Sequence, residues 1–283
     1  MRRKPFGGTG VEVAVIGQGT WNVPESGAAM AQARRALQRG IELGMTHVDT
    51  AEMYGAGRVE EFVGEAIAGV ARERLFVTTK VLPSNARYRD TLAAAERSLQ
   101  RLRLEYVDLY LLHWPSEHPL EETMAALERL VLDGKARFIG VSNFDEREML
   151  AAAAHLREVP LRCNQVLNHL NERGAERLLP AARQRGIAVV GYTPFGRGRF
   201  PRAQSAEDGV LGAIARRRGA TVRQVILAFL TRDPALFAIP KASREAHVEE
   251  NAGAADVRLD ERDIAEIDAA FPLPPADAPL ATL

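Results

Sequence analysis

Leu75–His113 reads LFVTTKVLPSNARYRDTLAAAERSLQRLRLEYVDLYLLH, and this stretch decides the fold. It opens on a β-branched apolar run, Leu75–Lys80, and closes on another, Val107–His113. Between them Leu92, Ala95, Leu99 and Leu102 recur at helical spacing, so Thr91–Leu102 reads as an amphipathic helix. A strand, a helix and a strand joined by a crossover of this length form a parallel βαβ unit.

The alternation extends in both directions. Further strands are expected at Val13–Gly17, Thr46–Asp49, Phe138–Ser142, Cys163–Leu167, Ile187–Tyr192 and Leu236–Pro240. Helices are expected at Ala28–Leu43, Val59–Ala68, Glu121–Leu132, Glu146–His155, Ala175–Arg185, Gly209–Arg218 and Val222–Leu230, with one more from about Arg244. Gly44, Gly134, Gly186 and Gly219 stand where left-handed helix caps belong. Eight strand–helix units imply an α/β TIM (β/α)8 barrel, a single domain over residues 1–283. One extra helix lies between the seventh and eighth strands. Another, Glu261–Ala270, follows the last unit and precedes the Pro/Ala-rich tail Phe271–Leu283.

Composition narrows the function classes. Lys+Arg and Asp+Glu both number 37, so the formal net charge is zero and no basic footprint for nucleic acid or an anionic membrane is present. No apolar run approaches the roughly 18 residues that span a bilayer. Met1-Arg2-Arg3-Lys4 leads into Pro5-Phe6-Gly7-Gly8 rather than an apolar stretch, and Cys163 is the one cysteine. A cytoplasmic monomer acting on a small molecule is expected.

A barrel of this kind places its chemistry at the C-terminal ends of its strands. Those ends carry Asp49 with Tyr54 a turn later, Lys80, His113-Trp114, Ser142-Asn143, Asn164-Gln165, Tyr192 and Lys241. Trp21 and Trp114 follow strands one and four and should line the substrate mouth. An acid, an amine, an imidazole, amides and phenols converging on one rim have the form of a site. Read singly, Asp49 is a turn residue, Tyr54 a packing residue and His113 a core histidine; their combination argues for catalysis. Ser142 and Asn143 also read as the approach to a helix N-terminus. His118, His155 and His169 show no metal-ligand spacing. Arg216-Arg217-Arg218 reads as a solvated helix end that suits the dipole.

The chain resembles the aldo-keto reductase family over nearly its full length, close to the small bacterial branch that includes methylglyoxal reductases. The resemblance rests on Gly17-Gln18-Gly19-Thr20-Trp21, His47-Val48-Asp49 through Tyr54, Lys80, Leu111-Leu112-His113-Trp114, Gly140-Val141-Ser142-Asn143-Phe144, Asn164-Gln165 and Ile239-Pro240-Lys241 through Glu250-Asn251. It implies a barrel that binds NADPH without a Rossmann domain, in keeping with the missing third glycine after Gly17-Gln18-Gly19 and after Gly55-Ala56-Gly57. It also implies a catalytic tetrad of Asp49, Tyr54, Lys80 and His113. In that scheme Tyr54 gives the proton, Lys80 lowers the phenol's pKa, Asp49 holds Lys80, and His113 binds the carbonyl oxygen. The same resemblance puts Ser142, Asn143 and Gln165 on the nicotinamide amide and Tyr192 against its ring. Thr193, Pro194, Phe195 and Gly196 then run beside the pyrophosphate, with Gly19 and Thr20 adjoining. Lys241, Ala242, Ser243, Arg244, His247, Glu250 and Asn251 take the adenosine phosphate end.

One position departs from the family pattern. Many NADPH-preferring members carry an arginine six residues after the lysine, and here that residue is His247. Lys241 and Arg244 are therefore expected to hold the 2′-phosphate, with His247 helping when protonated. The expected activity is NADPH-dependent reduction of aldehydes and ketones, with a short tail leaving an open pocket for small substrates. An NAD-linked sugar or polyol dehydrogenase and a cofactor-sensing regulatory protein are the alternatives.

Overall fold

The computed structural model describes residues 1–198 and 206–283. Eight parallel strands form the barrel wall in sequence order: β3 (Gln18–Gly19), β4 (His47–Asp49), β5 (Phe76–Val81), β6 (Val107–Leu112), β7 (Ala136–Ser142), β8 (Leu161–Leu167), β9 (Ala188–Tyr192) and β10 (Leu236–Ile239). The ring closes between the last strand and the residues leading into the first. Ile16 bridges Ala238 in parallel, Gly17 N donates to Ala238 O at 2.8 Å, and Gly19 N donates to Pro240 O at 3.1 Å. A side chain at Gly19 would strike the carbonyl of Ile239, so that seam needs glycine.

The helices are α1 (Gly27–Glu42), α2 (Arg58–Ile67), α3 (Tyr88–Leu102), α4 (Leu120–Leu132), α5 (Glu146–Ala154), α6 (Leu179–Arg185), α7 (Ala206–Arg218), α8 (Val222–Leu230), α9 (Glu245–Gly253) and α10 (Glu261–Ala270). Helices α7 and α10 are the two additions foreseen after the seventh strand and after the last unit. The four cap glycines take φ of 88, 71, 64 and 61°. No helix among the described residues is long and apolar enough to cross a membrane.

The first expected strand, Val13–Gly17, is corrected. Val13 and Ala14 belong to β2 (Glu12–Ala14), which pairs antiparallel with β1 (Arg3–Pro5), and the wall strand begins at Gln18. An unbroken apolar run concealed two jobs. Its first half floors the barrel, and Phe6, at the hairpin turn, packs 4.8 Å from the Phe76 ring and 5.0 Å from that of Phe237. The arginine cluster ends its helix with Arg216 and Arg217 exposed, as expected, but two of its members also make ion pairs. Arg217 donates to Asp263 at 3.0 Å and pairs with Glu266 at 2.9 Å, while Arg218 pairs with Asp260 and Asp263. These residues clamp α7 onto α10 around a buried Asp263 and do not merely end a helix in solvent. The tail is pinned as well, because Arg177 donates to the carbonyls of Pro275 and Ala276 at 3.0 and 2.9 Å.

Strand alternation positions the chemistry. Val77, Val81, Tyr110, Leu112 and Val189 face the helices, whereas Phe76, Leu109, Leu111, Cys163 and Val190 fill the barrel interior. On the same inward rows, one or two steps farther along each strand, come Asp49, Lys80, His113, Gln165 and Tyr192. The apolar floor thus ends in a polar ring at the C-terminal mouth.

Candidate active site

Asp49 and Lys80 form a buried pair at the top of the barrel. Lys80 Nζ lies 2.7 Å from Asp49 Oδ1 and also donates to the Thr50 carbonyl at 2.7 Å. The second carboxylate oxygen accepts from Gln165 Nε2 at 2.7 Å. Burial dominates the titration of both partners. It pulls the Lys80 amine down and pushes the Asp49 carboxyl up, and each shift is opposed by the other's charge and their shared hydrogen bond.

Tyr54 opens a tight turn, Tyr54–Gly57, in which Gly55, Ala56 and Gly57 all have positive φ (57, 54 and 93°). At Gly57 the φ of 93° is one that side chains rarely adopt, so the turn enters α2 through glycine. The half-buried Tyr54 ring meets His113 edge-on at 5.8 Å, and the Lys80 ammonium lies 5.4 Å from its centroid. The expectation that Lys80 makes Tyr54 a stronger acid needs correction. Burial raises the phenol well above its ordinary value, and Asp49 and then Tyr192 add to that rise. The physical reason is that burial disfavours the phenolate first of all, and the nearby Asp49 carboxylate adds its repulsion.

His113 is held neutral. Burial, and secondly the Lys80 charge, lower its pKa to about 2. Its Nδ1 is buried without a partner among the described residues, a state an acceptor nitrogen tolerates better than an N–H, which places the ring proton on Nε2. The Trp114 ring stacks on the imidazole at 3.9 Å. Trp21 is 38% exposed and lies under the Arg197 guanidinium at 5.1 Å, so the two tryptophans have different surroundings.

The amides at the ends of β7, β8 and β9 are interlinked. Asn143, at φ 64°, donates to His113 O at 3.0 Å and to Ser142 Oγ at 3.2 Å, and accepts from the Tyr192 hydroxyl at 2.7 Å. Ser142 Oγ donates to the Gln165 carbonyl at 2.8 Å. Burial pushes the Tyr192 phenol up to about 12, opposed by the Leu283 backbone and by Arg197, which brings the tail to this rim. Asn164, the neighbour of Gln165 in β8, donates to Phe144 O at 2.8 Å and braces the strand from the outer face.

Around the barrel seam, Gly19, Thr20, Ala242 and Asn251 line one cleft. Thr20 is tied down there, its hydroxyl donating to Asp49 O at 2.8 Å. At the start of α9, Arg244 is the exposed N-cap residue, and the buried Ser243 hydroxyl has no partner among the described residues. Thr193, with φ 56°, begins the loop through Pro194 and Phe195 to Gly196. Two groups beside the Asp49–Lys80 pair were not anticipated from the sequence: the Thr50 carbonyl, which is backbone and invisible in residue identity, and Glu60, whose buried carboxylate accepts from Thr79, the neighbour of Lys80; Arg223 stands 5.4 Å over the Phe195 ring. Only Glu60 left a signal, as a carboxylate on the inner face of α2.

A polar ring at the C-terminal mouth of such a barrel has the form of an active site, and comparison with known proteins bears on which kind. The model of the "Aldo/keto reductase family" matches residues 15–271. Methylglyoxal reductase YeaE of Escherichia coli is 40% identical over 269 residues, covering 93% of each chain. Glyoxal reductase of Bacillus subtilis is 37% identical, over 92% of this chain and 90% of that one. An aldo/keto reductase from Klebsiella pneumoniae, solved in complex with NADP and acetate, superposes with a TM-score of 0.91 at 38% identity over the whole of both chains. The chain belongs to the aldo/keto reductase family.

Proposed function

We propose that residues 1–283 form one catalytic barrel that reduces small aldehydes and ketones to alcohols with NADPH, Tyr54 giving the proton. The observation that carries this reading is the buried Asp49–Lys80 pair set against Tyr54 and a neutral His113. Small 2-oxoaldehydes are the substrate class suggested by the methylglyoxal and glyoxal reductases.

The residues present fit the cofactor. Ser142, Asn143 and Gln165 offer hydroxyl and amide groups to the nicotinamide carboxamide, and Tyr192 forms a wall for its ring. The Ser142 proton is committed to Gln165 O, so toward an amide N–H this hydroxyl acts as an acceptor. Gly19 and Thr20 border the cleft, and Thr193, Pro194, Phe195 and Gly196 flank the pyrophosphate. Lys241, Ala242, Ser243, Arg244, His247, Glu250 and Asn251 surround the adenosine end. There Lys241, Arg244 and the N–H groups opening α9 take the 2′-phosphate. The partnerless Ser243 hydroxyl and an Arg244 without an ion pair among the described residues support that assignment. When bound, NADPH supplies the hydride for the carbonyl carbon.

The chain's own groups handle the oxygen. His113 donates its Nε2 proton in a hydrogen bond to the carbonyl and polarises it. As negative charge gathers there, the oxygen becomes more basic than a phenolate, and the Tyr54 O–H proton moves to it in spite of the raised pKa. The phenolate left behind faces the Lys80 ammonium, which Asp49 keeps charged and fixed. Trp114 holds the His113 ring in plane by stacking, and Trp21 borders the substrate.

Tyr54→Phe tests the donor assignment. Turnover of NADPH with methylglyoxal or 4-nitrobenzaldehyde should fall by about 100-fold, while NADPH still quenches tryptophan fluorescence. Near wild-type turnover would refute the role.

A further inference from the structure

Arg223 occupies a position that its own helix does not explain. It sits in the first turn of α8, where the helix dipole disfavours a cation. Its guanidinium lies 5.4 Å over the Phe195 ring and reaches to 4.0 Å from the Glu250 carboxylate. Both contacts are loose, and 40% of the side chain remains exposed. The backbone beneath it, in contrast, is fixed. Thr221 and Gln224 close a capping box, and Gln224 Nε2 donates to Glu250 O at 3.0 Å, locking α8 to α9.

We propose that Arg223 is a cofactor-specificity residue, a guanidinium delivered from α8 to the 2′-phosphate of NADPH. The inference rests on the NADPH reading above. Residues 247 and 250 are three apart on α9 and so share a face. That face presents an imidazole and a carboxylate, and an unbalanced Glu250 would repel a phosphate. Arg223 approaches Glu250 and turns the local charge in the phosphate's favour. A planar fork of N–H donors suits a phosphate better than the two weak contacts it makes at rest. Phe195, beneath the guanidinium, belongs to the loop assigned to the pyrophosphate, so the cation lies between the two assigned halves of the dinucleotide site.

The test uses calorimetric titration of the full-length protein with 2′,5′-ADP and with 5′-AMP, which differ by the phosphate in question. Wild type should prefer 2′,5′-ADP, and Arg223→Ala should weaken it by about 10-fold while changing 5′-AMP less than twofold. Arg223→Lys should recover part of the loss, with the thermal midpoint unchanged in both variants. Equal weakening of the two ligands would make Arg223 a packing residue and overturn the proposal, as would no change in either. Failure of the wild type to distinguish the ligands would instead overturn the NADPH reading, and this inference with it.

Discussion

Lys80 Nζ lies 2.7 Å from Asp49 Oδ1 with 0 and 2% of the two side chains exposed, so among the described residues each is the other's ion-pair partner and both are buried. Thr50 O and Gln165 Nε2 complete the pair's hydrogen bonding. A buried ion pair of this kind is weak evidence for stability and strong evidence for a fixed charge distribution.

Breaking that pair on one side should therefore cost more than removing it. Asp49→Asn leaves the ammonium without a counter-ion, and the expected loss is about 3–5 kcal/mol of stability with turnover down at least 100-fold. Adding Lys80→Met should restore much of the thermal midpoint and none of the activity. Calorimetry and steady-state rates on the three proteins check this, and a double variant no more stable than Asp49→Asn would contradict it.

The pH profile follows from His113. With its pKa lowered to about 2 from an ordinary 6.5, the imidazole stays neutral across the working range. Protonation would set in only as pH falls toward 2, so carbonyl reduction should show no acid limb near 6.5 attributable to this residue. A kcat/KM profile with a limb near 6.5 that disappears in His113→Asn would overturn the assignment.

Cofactor choice should rest on the start of α9 as well as on Arg223. Arg244→Ala should raise KM for NADPH by about 10-fold and affect NADH far less, because a charge-assisted contact to a phosphate is worth on the order of 1.5–3 kcal/mol. Rates at low and high salt with both cofactors provide the check. A variant that loses the two cofactors in parallel would place Arg244 in the structure of the helix and away from the phosphate.

Local pattern made most of the fold legible. The helix expected at Glu261–Ala270 is α10 residue for residue, and the run at Val107–His113 is β6 with His113 just beyond its end. Val13–Gly17 failed because hydrophobicity reports burial and not the partner, and both the barrel floor and the barrel wall are buried. The ion pairs of Arg217 and Arg218 stayed hidden for a similar reason. Their charge is visible in sequence, but the acidic α10 that they grip lies more than 40 residues away.

The sequence by itself determined the eight-unit alternation, the identity of the polar residues ending each strand, and their match to the aldo/keto reductases. Only the tertiary structure decided what those groups do to one another. Lys80 spends its hydrogen bonds on Asp49 and a backbone carbonyl, Tyr54 is left a weak acid, and Arg223 comes to rest over Phe195. Propensity and periodicity act over a few residues, whereas desolvation and charge pairing act through space, and both depend on elements that the chain brings together only when the barrel closes.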